Sequence, residues 1–433
     1  MTYIRFGFRL RHRYAQFFLA LFLAAACSAQ FSYSQTQPHL SQKDKSEIFT
    51  KVWNLVNDRY YDPKMNGVDW KGLKGEYAAK TAVTVSDKDF YLLMKNMVGR
   101  MNDAHTRFLT PREARDRRAR KGVTAGLLLS RVEGKTVVER VLPDASGPLA
   151  KVKPGMIIRT VDGEDIEEKF VEVQKTVGSS SSPRALEILT YRTIMRGERN
   201  TSVKIGLTDE NGKEFEVSLI RTVVDDKSEA FGDILESGFG YIAVTSFRAP
   251  IYAKFKKELL ELKDAPGLII DLRYNGGGSI NEVLRMAGAF INEKKRFGKF
   301  MRRRGGTRQS LREFSAGKRG GQIYSKPVVI LTSKFSASGS ELFASSLQEL
   351  GRAKIIGRQS CGCLLGISRK HQLKGGSELH ISDIGFLSAK GKVYEKIGVT
   401  PDRIVALSID DLRKEIDRGV EEAEKMLTEV SFN

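Results

Sequence analysis

Ser338 stands in the run Phe335-Ser336-Ala337-Ser338-Gly339-Ser340-Glu341, directly behind the apolar residues Val328-Val329-Ile330-Leu331. A buried strand that delivers a serine into a tight turn, with a helix behind it, exposes the Oγ and aims the first helical N–H groups at whatever it attacks. Upstream, a second apolar run leads through Asp271-Leu272-Arg273-Tyr274 into Asn275-Gly276-Gly277-Gly278. Such a turn reaches positive φ and lets its backbone approach a ligand closely. A serine and a set of free N–H groups are the parts of an acyl-transfer site. The hydroxyl attacks a carbonyl, and two donors about 3 Å away hold the developing oxyanion. Gly339 and either Gly277 or Gly278 are the candidate donors. Taken alone, Ser338 reads as the N-cap of the helix that follows. Ser336 and Ser340 read as turn and cap residues, and Asp271 and Arg273 as braces of the glycine turn. A phosphate cradle is disfavoured, because no Gly-Lys-Ser/Thr follows the glycines.

The elements around these turns alternate. Strands are predicted over 241–244, 268–271 and 328–331, and helices over 253–262, 280–290 and 341–350, a pattern of an α/β layered domain. Further upstream, Ile48, Val52, Leu55 and Val56 keep helical spacing. Ser86 with Asp89 forms a capping box, and Phe90, Leu93, Met94, Met97, Val98 and Met101 make one apolar helical face. That helix ends in Asn102-Asp103-Ala104-His105-Thr106. The basic stretch 112–121 reads as a linker. Short β-like runs follow at 126–129 and 136–141, then a Pro154-Gly155 turn into a strand ending at Asp162-Gly163. Residues 179–183 read as a loop, and 203–207 and 216–220 as closing strands. The expected fold class is mixed α/β: a helical region over 36–111, a β-rich domain over 122–221, a layered core over 223–410 and a C-terminal helix over 411–433. His371 and His380 are expected on the surface of a hairpin.

The chain has 433 residues and a formal charge of +20. Residues 1–29 read as an export leader: Arg5, Arg9, Arg11 and Arg13 precede a short apolar stretch and small residues. That stretch is too short to cross about 30 Å of hydrocarbon. An extracytoplasmic location follows, with lipid anchoring through Cys27 as a variant. Basic residues are densest at Lys294-Lys295-Arg296, Lys299, Arg302-Arg303-Arg304 and Arg308. They read as a solvated loop, with an anionic membrane surface or acidic substrates as partners. Nucleic acid is excluded for an exported chain without nucleic-acid motifs. Cys361 and Cys363 lack the histidine pair of a zinc site. They read as two buried or reduced thiols, ahead of a local disulfide. No metal or cofactor is expected.

The segment KPGMIIRTVDGEDI resembles a PDZ domain. That resemblance implies peptide binding by strand addition, with the backbone N–H groups of Thr124, Ala125, Gly126 and Leu127 holding a C-terminal carboxylate. Together, GYIAVTSF, GLIIDLRYNGGGS, KPVVILTSKFSASGSELFASSLQELGRAKIIG, YEKIGVTPDRIV and NDAHTRFLTP resemble the C-terminal processing and tricorn-like serine peptidases, in order, over most of 41–410. The resemblance implies hydrolysis of proteins or peptides, often held by their C-termini, with Ser338 as nucleophile. One branch of that family uses a lysine about 25 residues beyond the serine; this chain has Cys363 there, and Lys370 seven residues on is the alternative base. A second branch uses a histidine from the helical region and a glutamate after the serine, which map onto His105 and Glu395. Imidazole, ordinarily near pKa 6.5, suits the role of base, and a carboxylate suits that of its orienter. The missing lysine also admits a peptide-binding protein without catalysis.

Overall fold

The computed structural model describes residues 39–119, 121–142, 148–177, 179–225, 227–304, 307–317 and 323–431, so the leader and Cys27 lie outside the described residues. Its centre is a six-stranded sheet in the order Ala230–Ile234, Gly240–Val244, Leu268–Asp271, Val328–Thr332, Lys354–Gly357, Arg403–Ile404. The first pair is antiparallel and the rest are parallel. The strands Leu268–Asp271 and Val328–Thr332 are buried on both faces, which is why they read as unbroken apolar runs. One face carries the helices Ile251–Glu261, Ile280–Ala287 and Gly339–Glu349 over Ile242, Ile270 and Ile330. Against the other face, Ala423, Met426 and Leu427 of the helix Arg418–Ser431 cover Ile269, Val329 and Ile356. The glycine turn and the serine turn leave the carboxyl ends of adjacent parallel strands, with Asp271 opposite Leu331. Open α/β sheets bind ligands at such ends.

The helices Gln42–Arg59, Leu73–Val83 and Asp87–Gly99 form the N-terminal layer, closed around Ile48, Val52, Phe90, Met94 and Met97. Ser86 caps the third helix, its Oγ accepting from Asp89 N at 3.0 Å. Leu379 and Ile381 complete this core from the far end of the chain. The short strand Arg107–Leu109 pairs antiparallel with Glu378–His380, which pairs in turn with Lys370–Gln372. Strand pairing thus fastens the segment after His105 to a hairpin that follows the serine turn in the chain.

The stretch expected as a linker is instead largely the helix Pro111–Arg118. Thr110 and Glu113 form its capping box and Pro111 opens its first turn, so three local signals outweigh the run of basic residues. The basic cluster expected in a loop lies on two long antiparallel strands, Lys295–Arg304 and Thr307–Ala316. Phe300 stacks on Phe314 at 4.3 Å, Arg296 pairs with Glu313 and Lys295 with Glu293. The imidazoles expected at the surface are buried: His371 is 9% and His380 1% exposed. His380 Nε2 lies 2.5 Å from Glu378 Oε1, and the ring is covered where the N-terminal layer docks on this hairpin.

In chain order, an inserted β-rich unit lies between the N-terminal layer and the six-stranded sheet. Its strands run in the order Leu127–Val132, Lys135–Val141, Ile157–Val161, Ser202–Thr208, Glu214–Ile220, with the short Glu164–Asp165 paired beside Ile157–Val161. The helices Ile166–Val177 and Pro183–Met195 pack against them through Phe170, Tyr191 and Ile194. The chain enters and leaves this unit through one paired ribbon, Lys121–Thr124 against Thr222–Asp225.

Candidate active site

Ser338 is the residue between strand and helix, and its backbone is strained: φ is +54° and ψ is −111°. A non-glycine residue there persists only where its surroundings over-determine it. They do. Ala337 N and Ser340 Oγ both donate to Asn275 O, at 3.1 and 2.7 Å, and Ser336 Oγ donates to Leu272 O at 2.8 Å. The serine turn is thereby bolted to the glycine turn. Gly277 has φ +94°, and a Cβ there would stand 2.8 Å from Ser338 Cβ and 2.6 Å from Ala337 O. Gly278 leaves no room for a Cβ against Phe247 O. Only glycines allow this approach. The Gly277 N–H donates to Asn275 Oδ1 at 2.9 Å, whereas those of Gly278 and Gly339 reach no acceptor among the described residues. These two free donors lie on adjoining turns, because a Cβ on Gly339 would stand 3.1 Å from Gly278 N. The helix that starts at Gly339 adds its positive N-terminal end.

Glu341 is fully buried and holds the turn from below. Its carboxylate accepts from Ser338 N at 2.9 Å, Ser360 Oγ at 2.6 Å, Gly362 N at 2.7 Å and Cys363 N at 2.9 Å. Burial pushes its pKa upward, against these donors. Cys361 and Cys363 are joined in a disulfide, not held as separate thiols. Gly362 between them takes φ +75°, where a Cβ would meet the Lys396 backbone at 2.9 Å, and this reversal brings the two cysteine Cα atoms to 5.3 Å. Cys361 N donates to Ser336 O at 3.0 Å, so the bridge sits directly behind the serine turn.

His105 lines the same cavity as Ser338. Asp103 Oδ1 fixes its backbone by accepting from His105 N at 2.7 Å, Thr106 N at 2.6 Å and Ser382 Oγ at 2.7 Å. Ala104 N donates to Ser181 Oγ at 2.8 Å. Burial pushes the imidazole down to about 4, with Asp103 opposing and Arg107, Arg117 and His380 adding. Glu395 is 7% exposed, and burial pushes its carboxyl up to about 8, with Asp103 and Glu341 adding to the rise. His105 Nδ1, Asp103 Oδ2, Tyr60 OH and both Glu395 oxygens are buried without a hydrogen-bond partner. No hydrogen bond among the described residues joins His105 to Ser338 or to Glu395. Asp103 is the group whose charge acts on both.

The Peptidase family S41 profile matches residues 238–405, and the Tricorn protease C1 domain profile matches residues 41–99. Residues 238–405 thus carry a family S41 peptidase domain, of the C-terminal processing and tricorn-like kind. The carboxyl-terminal-processing protease of Synechocystis sp. is 24% identical to this S41 peptidase over 399 residues, covering 90% of this chain and 87% of that protein. Tricorn protease homolog 1 of Streptomyces coelicolor is 26% identical over 371 residues; these cover 82% of this chain but 32% of that longer protein. Among solved structures, mature CPAF shares the fold with a TM-score of 0.66 at 12% identity, over 90% of this chain and 96% of that one. The family makes the protein a serine-type peptidase of the C-terminal processing and tricorn-like kind.

Other sequence candidates fall as follows in this S41 peptidase. Lys370 lines the cavity but is solvent-exposed, on the strand that pairs with His380. Thr124, Ala125, Gly126 and Leu127 join the ribbon to the edge strand Leu127–Val132 of the inserted sheet. Gly126 N donates to Thr124 Oγ1 at 3.3 Å, Ala125 is buried, and Thr124 and Leu127 line the cavity. Sequence reasoning overlooked Asp103 and Glu341. Each carried a local signal: an aspartate two residues before the histidine, and a Ser-x-x-Glu box starting at Ser338.

Proposed function

We propose that this S41 peptidase is an exported endopeptidase that cleaves protein chains through an acyl-enzyme on Ser338. The observation that carries the reading is the strained Ser338 locked against Gly277 and Gly278, with two free N–H donors beside it. His105 takes the proton from Ser338 Oγ as the hydroxyl attacks the scissile carbonyl. Its depressed pKa keeps the ring neutral, and so able to accept, well below neutral pH. The Gly278 and Gly339 N–H groups hold the tetrahedral oxyanion. His105 then returns the proton to the leaving amine, and water repeats the sequence to release the acyl group. Asp103, whose charge acts on both His105 and Glu395, and Glu395 serve to orient the ring. The missing hydrogen bonds form as substrate closes the site, as is common for catalytic contacts that are long in the free enzyme.

The inserted unit binds substrate C-termini, with a peptide added to the edge strand Leu127–Val132 beside the helix Pro183–Met195 and its carboxylate at the N–H groups of residues 124–127. Export is supported by the Cys361–Cys363 disulfide, which persists in oxidising compartments. No helix among the described residues is long and apolar enough to cross a membrane. The basic hairpin gives the exported enzyme a face for anionic membrane surfaces, tested by co-sedimentation with phosphatidylglycerol vesicles. The deciding experiment is labelling of the mature protein by a fluorophosphonate probe. Labelling that disappears in both Ser338→Ala and His105→Ala is expected. Labelling that survives in His105→Ala transfers the role of base to another group, with Lys370→Ala tested next.

A further inference from the structure

The serine run Ser179-Ser180-Ser181-Ser182 belongs to the inserted unit in sequence and to the candidate active site in space. Ser179 Oγ donates to Asn102 Oδ1, three residues before His105. Ser181 Oγ accepts from Ala104 N at 2.8 Å, and Ala104 directly precedes His105. Ser182 Oγ donates to Cys361 O and caps the helix Pro183–Met195 by accepting from Ala185 N at 3.1 Å. Arg184 reaches two further segments: Nε donates to Ser360 O at 2.7 Å, and Nη2 donates to Ile397 O, two residues past Glu395, at 2.6 Å. Ala185 packs with Ala104, Ala337, Cys361 and Cys363. One short stretch of the insert thus meets the histidine segment, the glutamate turn and the loop behind the serine turn.

Within that stretch, Ser181 has bonding capacity to spare. Its Oγ spends one lone pair on Ala104 N, and a serine O–H rotates freely to suit a second partner. Both oxygens of Glu395 are buried without a hydrogen-bond partner, and such a group carries a desolvation cost until a donor meets it. Burial raises the Glu395 carboxyl, and the Ser181 hydroxyl is the group that opposes the rise most, which places it beside that side chain. The backbone after Glu395 is fixed independently, by Lys396 N on Gly362 O at 2.9 Å and by Arg184 on Ile397 O. What Ser181 governs is therefore the side chain. Ser180 lines the cavity, whereas Ser181 is 4% exposed, so a substrate meets its neighbour first.

We propose that Ser181 is a positioning residue lent to the active site by the inserted unit: as the site closes, its hydroxyl donates to a carboxyl oxygen of Glu395 while still accepting from Ala104 N, and so sets the glutamate against the histidine segment. The inference rests on the peptidase reading above. A catalytic constellation has to be held to within about 0.5 Å, and a misplacement of about 1 Å costs up to about a hundredfold in rate. The insert then supplies part of the catalytic geometry as well as a surface for substrate.

The test compares wild-type, Ser181→Ala, Glu395→Ala and the double variant by hydrolysis of labelled casein and by NMR of the histidine rings, the His105 signal being recognised by its loss in His105→Ala. Ser181→Ala is expected to lower kcat on the order of thirtyfold with KM nearly unchanged, and to move the His105 signal. In the Glu395→Ala background the same substitution has little further effect on either readout, because the hydroxyl acts through the carboxyl. Ser181→Thr, which keeps the hydroxyl, keeps most of the rate. Should Ser181→Ala fail to fold, Ser181→Cys, whose thiol is a weak donor, replaces it with the same outcomes. An unchanged kcat and His105 signal in Ser181→Ala overturns the proposal and leaves the peptidase reading standing. Losses that simply add to those of Glu395→Ala also overturn it, because Ser181 is then only a brace for Ala104 N. A wild-type protein without turnover overturns the hydrolytic reading instead, and the His105 signal alone then decides whether Ser181 acts through Glu395.

Discussion

His105 and Glu395 depart from their ordinary titration in opposite directions, and both departures come first from burial. A base must be neutral to accept a proton. With His105 lowered from 6.5 to about 4, kcat/KM is expected to hold from neutral pH down to about 5 and to fall through about 4. A fall centred on 6.5 would place the working imidazole in water. For stability, a lowered histidine contributes above its ordinary pKa and loses that contribution as the pH drops from 6.5 towards 4. Glu395, raised from 4.5 to about 8, contributes below 4.5 and loses its contribution as the pH climbs to 8. Glu395→Gln should therefore match the wild-type Tm in acid and exceed it by several degrees above pH 8. An equal Tm at both ends would show the carboxylate to be already paired. At this scale the sequence was legible where chemistry was local. Ser338 and its neighbouring glycines were readable from two strand–turn patterns. The clasp of Asp103 on Ser382 was not, since 279 residues separate the partners and only the docked strands bring them together.

Among the elements, the loop carrying the Cys361–Cys363 bridge is closely tied to Ser338, through Glu341 and through Ser336 O. Closing so short a ring stabilises the chain by only about 1.6 kcal/mol on an entropy scale. Its larger effect is positional, because Gly362 N and Cys363 N supply half of the donors that keep the Glu341 carboxylate under Ser338 N. Reduction by a phosphine is expected to lower kcat/KM about tenfold while shifting Tm by only a few degrees, and Cys361→Ser/Cys363→Ser should start from the lowered rate and not respond. A reduced enzyme as fast as the oxidised one would make the bridge incidental to catalysis. The sequence favoured thiols here because spacing alone does not reveal a reversal at Gly362. It likewise hid the strands Lys295–Arg304 and Thr307–Ala316, whose arginines and lysines masked the stacked Phe300 and Phe314. By contrast, the helices at Gly339–Glu349 and Asp87–Gly99 and the parallel strands were legible, because period and capping agreed.

Across the whole molecule, the inserted unit is clamped to the catalytic layer by buried charge. Glu139, 3% exposed, accepts from Arg358 at 2.5 Å, from Tyr274 OH at 3.2 Å and from Ser130 Oγ, while Lys334 holds Glu187 at 2.5 Å. Arg358, Tyr274 and Lys334 belong to the segments flanking the serine and glycine turns. Removing one member of a buried pair costs about 3–5 kcal/mol. Glu139→Ala is thus expected to raise hydrogen exchange in both the insert and residues 334–338, and to change kcat/KM together with stability. Excising residues 122–221 should alter substrate choice or basal rate if the insert gates the site; an unchanged peptidase would reduce it to a tether for substrate.

The ribbon in which Thr124 faces Thr222 has a consequence for how such an enzyme diversifies. Exit and return points are neighbours in space, so the roughly hundred residues between them form a cassette whose closure is fixed at the ribbon, and lengthening it adds only slowly to the entropy of closing the loop. One inserted unit can be exchanged for another across that single seam while the serine turn beneath keeps its geometry. New substrates then become available by grafting, without rebuilding the serine turn.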